Sequence, residues 1–565
     1  MIKLNTKIFF VFLFTTYFLL LTSASLAQHE NVPVDHDVYT FLKEMKVKGI
    51  VFQIHDDNPG MSRAEIQKHL AVISGREMEL SATEAKLLQK FQDEFNTNFA
   101  DNTNTYQLID NENYSNDFSD LFSNKIKHFY SYRDENANLY VEILGRAIYG
   151  QSYKPAVNNS ELYDIGFRAR GTLLNKLGYN LTVQKGGVSG SIDLAPTFDP
   201  RLNYNFKYYE NIENIANYDF TEGYLRFYTE PVEGMSFAVQ LGREKIKLGY
   251  GYGDRLVLSG NHPLLDFLKF DFNYGIVSFT SLQASTVGEF NADREENYTK
   301  MYAYNKVKFS FKDFFDLGLG ESIIYSGRGI DLAYLTPVAF YKFIEMSLQD
   351  RDNGVLFLDL QSRFLRNIEL QATFFLDENI LSHLQEMDLF SNKTAYQVGA
   401  FWYAPFSVND LSLVLEYTKI RPYVYSHTNA KNSYTAHSQL LGHRIGPNAD
   451  EIFASLSYNF NEWVRGKFEF QRVRSGENIY DAFGNVVFNA GGDPLFAYRM
   501  GIDPEHIDFL DGERINQNIF TMYFRVEPVR ELFFDFAYKY IIEKNLTKET
   551  SLYSSYAFIK MTFDF

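Results

Sequence analysis

The chain has 565 residues, a formal net charge of −17 and 17% aromatic residues at a mean hydropathy of only −0.27. The acidic balance argues against a nucleic-acid partner, which would demand a basic footprint. The complete lack of cysteine excludes disulfides, thiolate metal sites and cysteine nucleophiles.

The chain opens "MIKLNTKIFFVFLFTTYFLLLTSASLAQ". Lys3 and Lys7 form a short basic region, an apolar run follows over 8–21, and Ser25-Leu26-Ala27 supplies the small residues a signal peptidase needs. A leader over 1–27 and a mature start at Gln28 are expected; the run is short for the competing reading, a retained anchor.

Residues 28–100 read as a small helical periplasmic domain. Val38, Phe41, Leu42 and Met45 recur at helical spacing. Ser62 with Glu65, and Ser81 with Glu84, are capping-box pairs that open two further helices. The stretch also resembles an S-layer-homology repeat, carried by Val32-Pro33, Asp35-His36, Tyr39, Leu42, Gly49 and Ser62-Arg63-Ala64-Glu65. That resemblance implies periplasmic placement and contact with the cell wall; a structural cap over a barrel mouth is the other reading. An Asn-rich polar linker is expected over 101–124.

From 125 to 565 the pattern is strand, turn, strand, as in "LYVEILGRAIYG", "ELYDIGFRARGTLL" and "IFTMYFRVEPVRELFFDFAYKYIIE". No second long apolar stretch follows the leader, so no helix is expected to span a membrane. A secreted, aromatic-rich, alternating chain of this kind predicts an all-β, outer-membrane β-barrel of antiparallel strands. The other architecture this length allows is a large secreted β-sandwich array. Tight joints such as Glu230 to Gly234 and Glu527 to Arg530 contrast with long polar inserts near 190–217, 285–300, 422–450 and 475–515. There is room for about 16 to 18 spanning strands of roughly ten residues each. The closing "YAFIKMTFDF", ending at Phe565, resembles the terminal strand that barrel-assembly machinery recognises.

Three motifs invite chemistry. "GREKIKLGYGYGD" alternates Gly249, Gly251 and Gly253 but lacks the helix start and the Lys-Ser/Thr of a phosphate loop. A Gly-rich strand end or bulge is expected there, with Arg243 and Arg255 facing the lumen. "QDRDNGVLFLDL" places Asp350, Asp352 and Gly354 like a calcium loop, but Gln361 stands where a bidentate Glu is required. It reads as a turn that starts a strand.

"YTAHSQLLGHRIGPNADEI", 434–452, fits badly with its alternating flanks. His427, His437 and His443 are too widely spaced for a metal site, and no cofactor is implied. Ser433 or Ser438 could pair with a histidine and Asp450, but no G-x-S-x-G elbow exists and no enzyme is expected. A ligand-binding loop suits the composition better. Arg421, Tyr423, Tyr425, His427, Tyr434, His437, His443 and Arg444 combine rings that stack on sugars with planar donors that reach hydroxyls and carboxylates. The alternative is a loop that folds inward and fills the lumen.

Three stretches together resemble the Wzi family of capsule-assembly outer-membrane proteins. They are "GREKIKLGYGYGDRLVLSGNHPLLDFLKF" (242–270), "YLTPVAFYKFIEMSLQDRDNGVLFLDL" (334–360), and Tyr425 and Tyr434 with Leu441-Gly442-His443 and Gly446-Pro447-Asn448-Ala449-Asp450. The resemblance implies an 18-stranded barrel acting as a lectin that attaches capsular polysaccharide to the cell surface. Expected partners are therefore extracellular polysaccharide and outer-membrane lipid, with the cell wall touched through the helical domain. A porin or substrate-specific channel is the alternative function.

Overall fold

The structure, a computed structural model, describes residues 28–96, 104–109, 120–205, 216–291, 293–311, 314–336, 340–349, 351–377 and 386–565. The expected leader lies outside them, as do positions 97–103 and 110–119 and with them much of the expected linker. Among the described residues no helix is long and apolar enough to cross a membrane.

Eighteen antiparallel strands close into a barrel. In chain order they are β1 Ala137–Lys154, β2 Asn158–Leu173, β3 Leu177–Gly190, β4 Asn217–Val232, β5 Met235–Glu244 and β6 Leu265–Tyr274. Then come β7 Val277–Val287, β8 Thr299–Phe311, β9 Phe315–Ser326, β10 Asn353–Leu365, β11 Ile368–Asp377 and β12 Thr394–Tyr403. The last six are β13 Leu411–Ile420, β14 Ala449–Asn461, β15 Val464–Glu477, β16 Glu513–Val529, β17 Leu532–Asn545 and β18 Thr550–Asp564. β18 pairs back onto β1, with Ile559 opposite Tyr149, so the sheet has no open edge.

Period-two alternation sorts each strand's side chains into two environments. On β2, Tyr163, Ile165 and Phe167 are exposed on the outside. Asp164, Arg168 and Arg170 point inward, where Arg146 pairs with Asp164 and Glu142 takes both Arg168 and Arg170. A lipid-facing girdle and a polar lumen follow from that one pattern.

Short joints gather on one rim, as at Gly234, whose φ of +76° suits glycine in the β4–β5 hairpin. β1 starts and β18 ends at this rim, which makes it the periplasmic one. Of the long segments at the opposite rim the structure describes 191–205, 216, 245–264, 288–291, 293–298, 327–336, 340–349, 351–352, 386–393, 421–448 and 478–512. Segment 245–264, which holds the Gly-rich stretch expected as a strand end or bulge, carries apolar Ile246, Leu248, Leu256, Val257 and Leu258. Those side chains are buried in a core inside the barrel. Arg243 also departs from expectation: it points outward and pairs with Asp266 at 3.0 Å.

Among the described residues three α-helices precede the barrel: α1 Asp37–Val47, α2 Arg63–Ser74 and α3 Ala82–Glu94. Both capping boxes form, Ser62 with Glu65 and Ser81 with Glu84. Val38, Leu42, Met45, Ile66, Leu70, Leu88 and Phe91 give the bundle its own apolar core. Its outer surface meets inward-facing side chains right around the wall. Glu65 pairs with Arg226 on β4 at 3.1 Å, Asp57 with Lys306 on β8 at 2.7 Å, and Lys46 with Glu369 on β11 at 3.3 Å. Asp37 pairs with Arg525 on β16 at 2.9 Å. The bundle therefore sits in the periplasmic mouth as a plug.

Candidate functional site

Segment 421–448 turns back into the lumen instead of standing above it. Tyr434 is fully buried at its centre. The Tyr434 hydroxyl donates to the Val257 carbonyl at 2.8 Å and lies 3.1 Å from the Tyr302 hydroxyl on β8. Its ring stacks on Tyr425 at 5.2 Å and meets the edge of Phe375 on β11 at 5.9 Å. Lys300 on β8 donates to the carbonyls of Ser433 and Thr435, at 2.9 and 2.7 Å.

The other rings of the segment are spent in the same way. The Tyr425 hydroxyl donates to the Leu256 carbonyl at 2.8 Å, and the Tyr423 hydroxyl to the Asn489 carbonyl at 2.9 Å. Both residues hold positive φ, +64° for Tyr423 and +72° for Tyr425, a costly conformation for a bulky side chain. The surrounding hydrogen bonds hold it in place. Arg421 is buried and donates through Nε to the Asn392 carbonyl at 3.1 Å. His443 is wholly buried, and burial pushes its pKa down to about 3, so the ring is neutral.

Tyr423, Tyr425, Tyr434, His443 and Arg421, expected as ligand contacts, are all buried and bonded to protein groups. A long loop rich in rings has the same composition whether it stacks on sugar or builds a core. Three of the eight candidates stand elsewhere. His427 is half-buried, with Nδ1 accepting from the Asn429 amide at 3.1 Å. His437 is only 7% exposed, with Phe290 against its ring edge at 5.9 Å. Arg444 keeps part of its side chain exposed while pairing with Glu451 and, at 3.4 Å, with Asp254. Among the described residues no group of histidines and acids could hold a metal ion.

Segment 245–264 joins this inner core to the helical plug. The Gly249 amide donates to the Asp57 carbonyl at 2.9 Å, and Arg255 to the Asp56 carbonyl at 2.8 Å. The Gly-rich stretch is therefore a folded loop; a Cβ at Gly251 would lie 1.8 Å from the Asp254 carbonyl oxygen. Asp254 in turn accepts from the Arg444 amide at 2.9 Å. Plug, inner loop and 421–448 form one continuous filling. Asp352, the second acid of the calcium-like motif, binds Arg328 and Tyr334, and β10 starts at the next residue; Asp350 lies outside the described residues.

The surface offered to the outside belongs to 478–512 and 386–393. Tyr480, Phe483, Phe496, Met500 and Ile502 are exposed, Phe483 at 91%. Phe390 stacks on Tyr498 at 3.6 Å, and His506 lies 2.9 Å from Asp388. Arg499 pairs with Asp503 at 2.7 Å. Burial works to raise the Asp503 carboxyl, but its Arg499 and Asn489 donors bring it below the usual range. Exposed rings beside fixed acids and an arginine make a face suited to polyhydroxylated ligands. The sequence marked 475–515 as a long insert, and its rings were the available signal.

A family model described as capsule assembly protein Wzi matches residues 74–505. Among solved structures, an Escherichia coli outer-membrane protein, Wzi, aligns with a TM-score of 0.56 and 11% identity. That alignment covers 94% of this chain and 99% of the other, which is described as a carbohydrate-binding β-barrel involved in group 1 capsule assembly. Pseudomonas aeruginosa OprD aligns with a TM-score of 0.41 and 9% identity, over 75% of this chain and 95% of that one. No curated protein matches the sequence.

Proposed function

This chain belongs to the capsule assembly protein Wzi family, and from that premise we propose that it binds surface polysaccharide and holds it at the outer membrane. The observation that carries the reading is the pairing of a filled lumen with an exposed aromatic face on the extracellular loops. A channel needs an open path, and here the helical plug, segment 245–264 and segment 421–448 occupy it together. The binding groups are Tyr480, Phe483, Phe496 and Arg499, with His427 and Arg444 reached only from the loop margins. Each contact is weak, and a repeating polymer multiplies them, so avidity sets the retention. No step of turnover is required. Outer-membrane lipid surrounds the wall, and the helical bundle offers the cell wall only the face it turns to the periplasm.

The test is retention of the source cell's purified capsular or exopolysaccharide by the reconstituted barrel. Tyr480→Ala with Phe483→Ala should weaken retention tenfold or more, whereas His443→Ala should act only through stability. Equal retention by the surface variant and the parent would sink the assignment of this face. Single-channel recordings should be silent; a large, steady conductance would favour the channel reading instead.

A further inference from the structure

In the segment between β9 and β10, Tyr334 and Tyr341 are buried against residues of β8 and β9. We propose that this segment folds down over the outside of the barrel and lies in the outer leaflet, its apolar face among lipid acyl chains.

The argument starts from which side chains face out. On β8, Lys300 and Tyr302 bond to segment 421–448, and Lys306 and Lys308 to Asp57, so these point inward. Met301, Ala303, Asn305, Val307 and Phe309, between and beyond them, therefore point outward. On β9, Ser322 lies 3.2 Å from the Tyr434 hydroxyl inside, which sends Glu321, Ile323 and Tyr325 outward. Phe309 and Leu319, lower on the wall, are exposed as lipid-facing residues should be. Higher up, Met301, Ala303, Ile323 and Tyr325 are buried, in a cluster with Tyr334 and Tyr341 of the β9–β10 segment.

The covered patch is polar at its lower edge. Asn305 is paired in register with Glu321 on one side and Ser281 on the other. All three are buried, and so is Gln283, which donates to the Tyr334 carbonyl and to the Tyr341 hydroxyl, at 2.5 and 3.0 Å. The Asn305 row stands about 15 Å above Phe311 at the foot of β8, inside an apolar band about 25 Å tall. Bare, it would present a carboxylate and an amide to hydrocarbon.

The segment answers that problem. Helix Tyr341–Ser347 has no side-chain cap of its own; Glu321 accepts from its Lys342 amide at 3.4 Å. Glu345 packs over Gly354 on the outer face of β10, where a Cβ would lie 2.4 Å from the carboxylate. Asp352 fixes the base, accepting from Arg328 at 3.0 Å and from the Tyr334 hydroxyl at 2.7 Å. With its polar side consumed, the segment turns Leu332, Phe340, Phe343 and Met346 outward, at 57–78% exposure. That apolar face continues the lipid-facing surface of Leu358 and Leu360 just below it. Continuity with that surface, and the depth of the polar row it covers, commit the occupant to lipid.

A chain without cysteine allows single-cysteine labelling of the whole protein. Spin labels at Phe343→Cys and Met346→Cys would be compared in phosphatidylcholine–phosphatidylglycerol vesicles, with Ile165→Cys as the lipid-facing reference and Phe483→Cys as the aqueous one. Both should behave like Ile165, with oxygen collisions exceeding those of a water-soluble nickel chelate several-fold. Grouping with Phe483 would overturn the proposal. Immobile labels shielded from both reagents, with dipolar broadening, would overturn it in favour of a second copy of the chain. This test is independent of glycan binding and can fail without affecting that reading.

Discussion

At the periplasmic mouth the filling meets the wall largely through charges, beside one apolar contact of Val47 with Phe401, Tyr403, Val414 and Phe453; at the extracellular end it meets the wall through rings. The helical bundle has a closed apolar core of its own and turns Lys43, Lys46, Asp57 and Glu65 toward Glu369, Lys306, Lys308 and Arg226. Segment 421–448 has no separate core. Tyr425, Tyr434 and Ala436 share one cluster with Tyr302, Tyr304, Phe357 and Phe375 of the wall. The first arrangement is a folded unit docked in a polar socket, and the second is part of the barrel's own interior. Burial of apolar area is cooperative with folding, whereas a docked ionic interface can open while both partners stay folded.

Tyr434→Ala attacks the shared core and carries the largest expected effect. It removes a buried ring and leaves the Val257 carbonyl without its donor, a loss of about 3–5 kcal/mol. Whole-protein melting should fall; an unchanged melting point would mean that this segment is not core.

Asp57→Asn attacks the socket. Lys308 would stay buried without its carboxylate while Lys306 would keep only Asp359, a cost of about 3 kcal/mol that should fall on docking alone. Protease cleavage within 28–96 should accelerate while the barrel's melting point holds. If both shift together, plug and barrel form one cooperative unit.

Acid should open the socket in a defined window. Burial works to raise the Asp57 carboxyl, but Lys306 and Lys308 outweigh it and hold it well below its ordinary value. Glu65 is brought to about 2, because Arg226 and the Ser62 donors outweigh its burial. Both pKa values are depressed, so their contribution is full above the free-carboxylate value near 4 and fades as pH falls toward 2. Protease sensitivity of the plug should rise over that interval; a flat response would remove these carboxylates from docking.

The smallest effect is expected at Lys68, whose pair with Glu230 is exposed on both sides. Lys68→Ala should change docking by under about 1 kcal/mol, measured by the same cleavage rate. A larger loss would show that rim contacts matter as much as buried ones.

Much of this architecture is legible in the sequence. Ser62 with Glu65 and Ser81 with Glu84 announce helix starts because a capping box is local chemistry, complete within four residues. The strands are legible because alternation such as Tyr163, Asp164, Ile165 in β2 is a local period. The inward course of segment 421–448 was not. Tyr423, Tyr425, Tyr434 and His443 carry the groups a sugar site would need, but the direction in which their loop folds is not written in its composition.

The sequence by itself determined the class of fold and its membrane setting, since periodicity, aromatic content and caps depend only on near neighbours along the chain. Tertiary structure alone decided which long segments fill the lumen, which one lies on the outer wall, and which rings remain outside. Those choices rest on contacts between residues far apart in sequence, such as Tyr434 with Val257 or Lys306 with Asp57. In each, a polar or aromatic group is satisfied only by one distant partner, which no local pattern names.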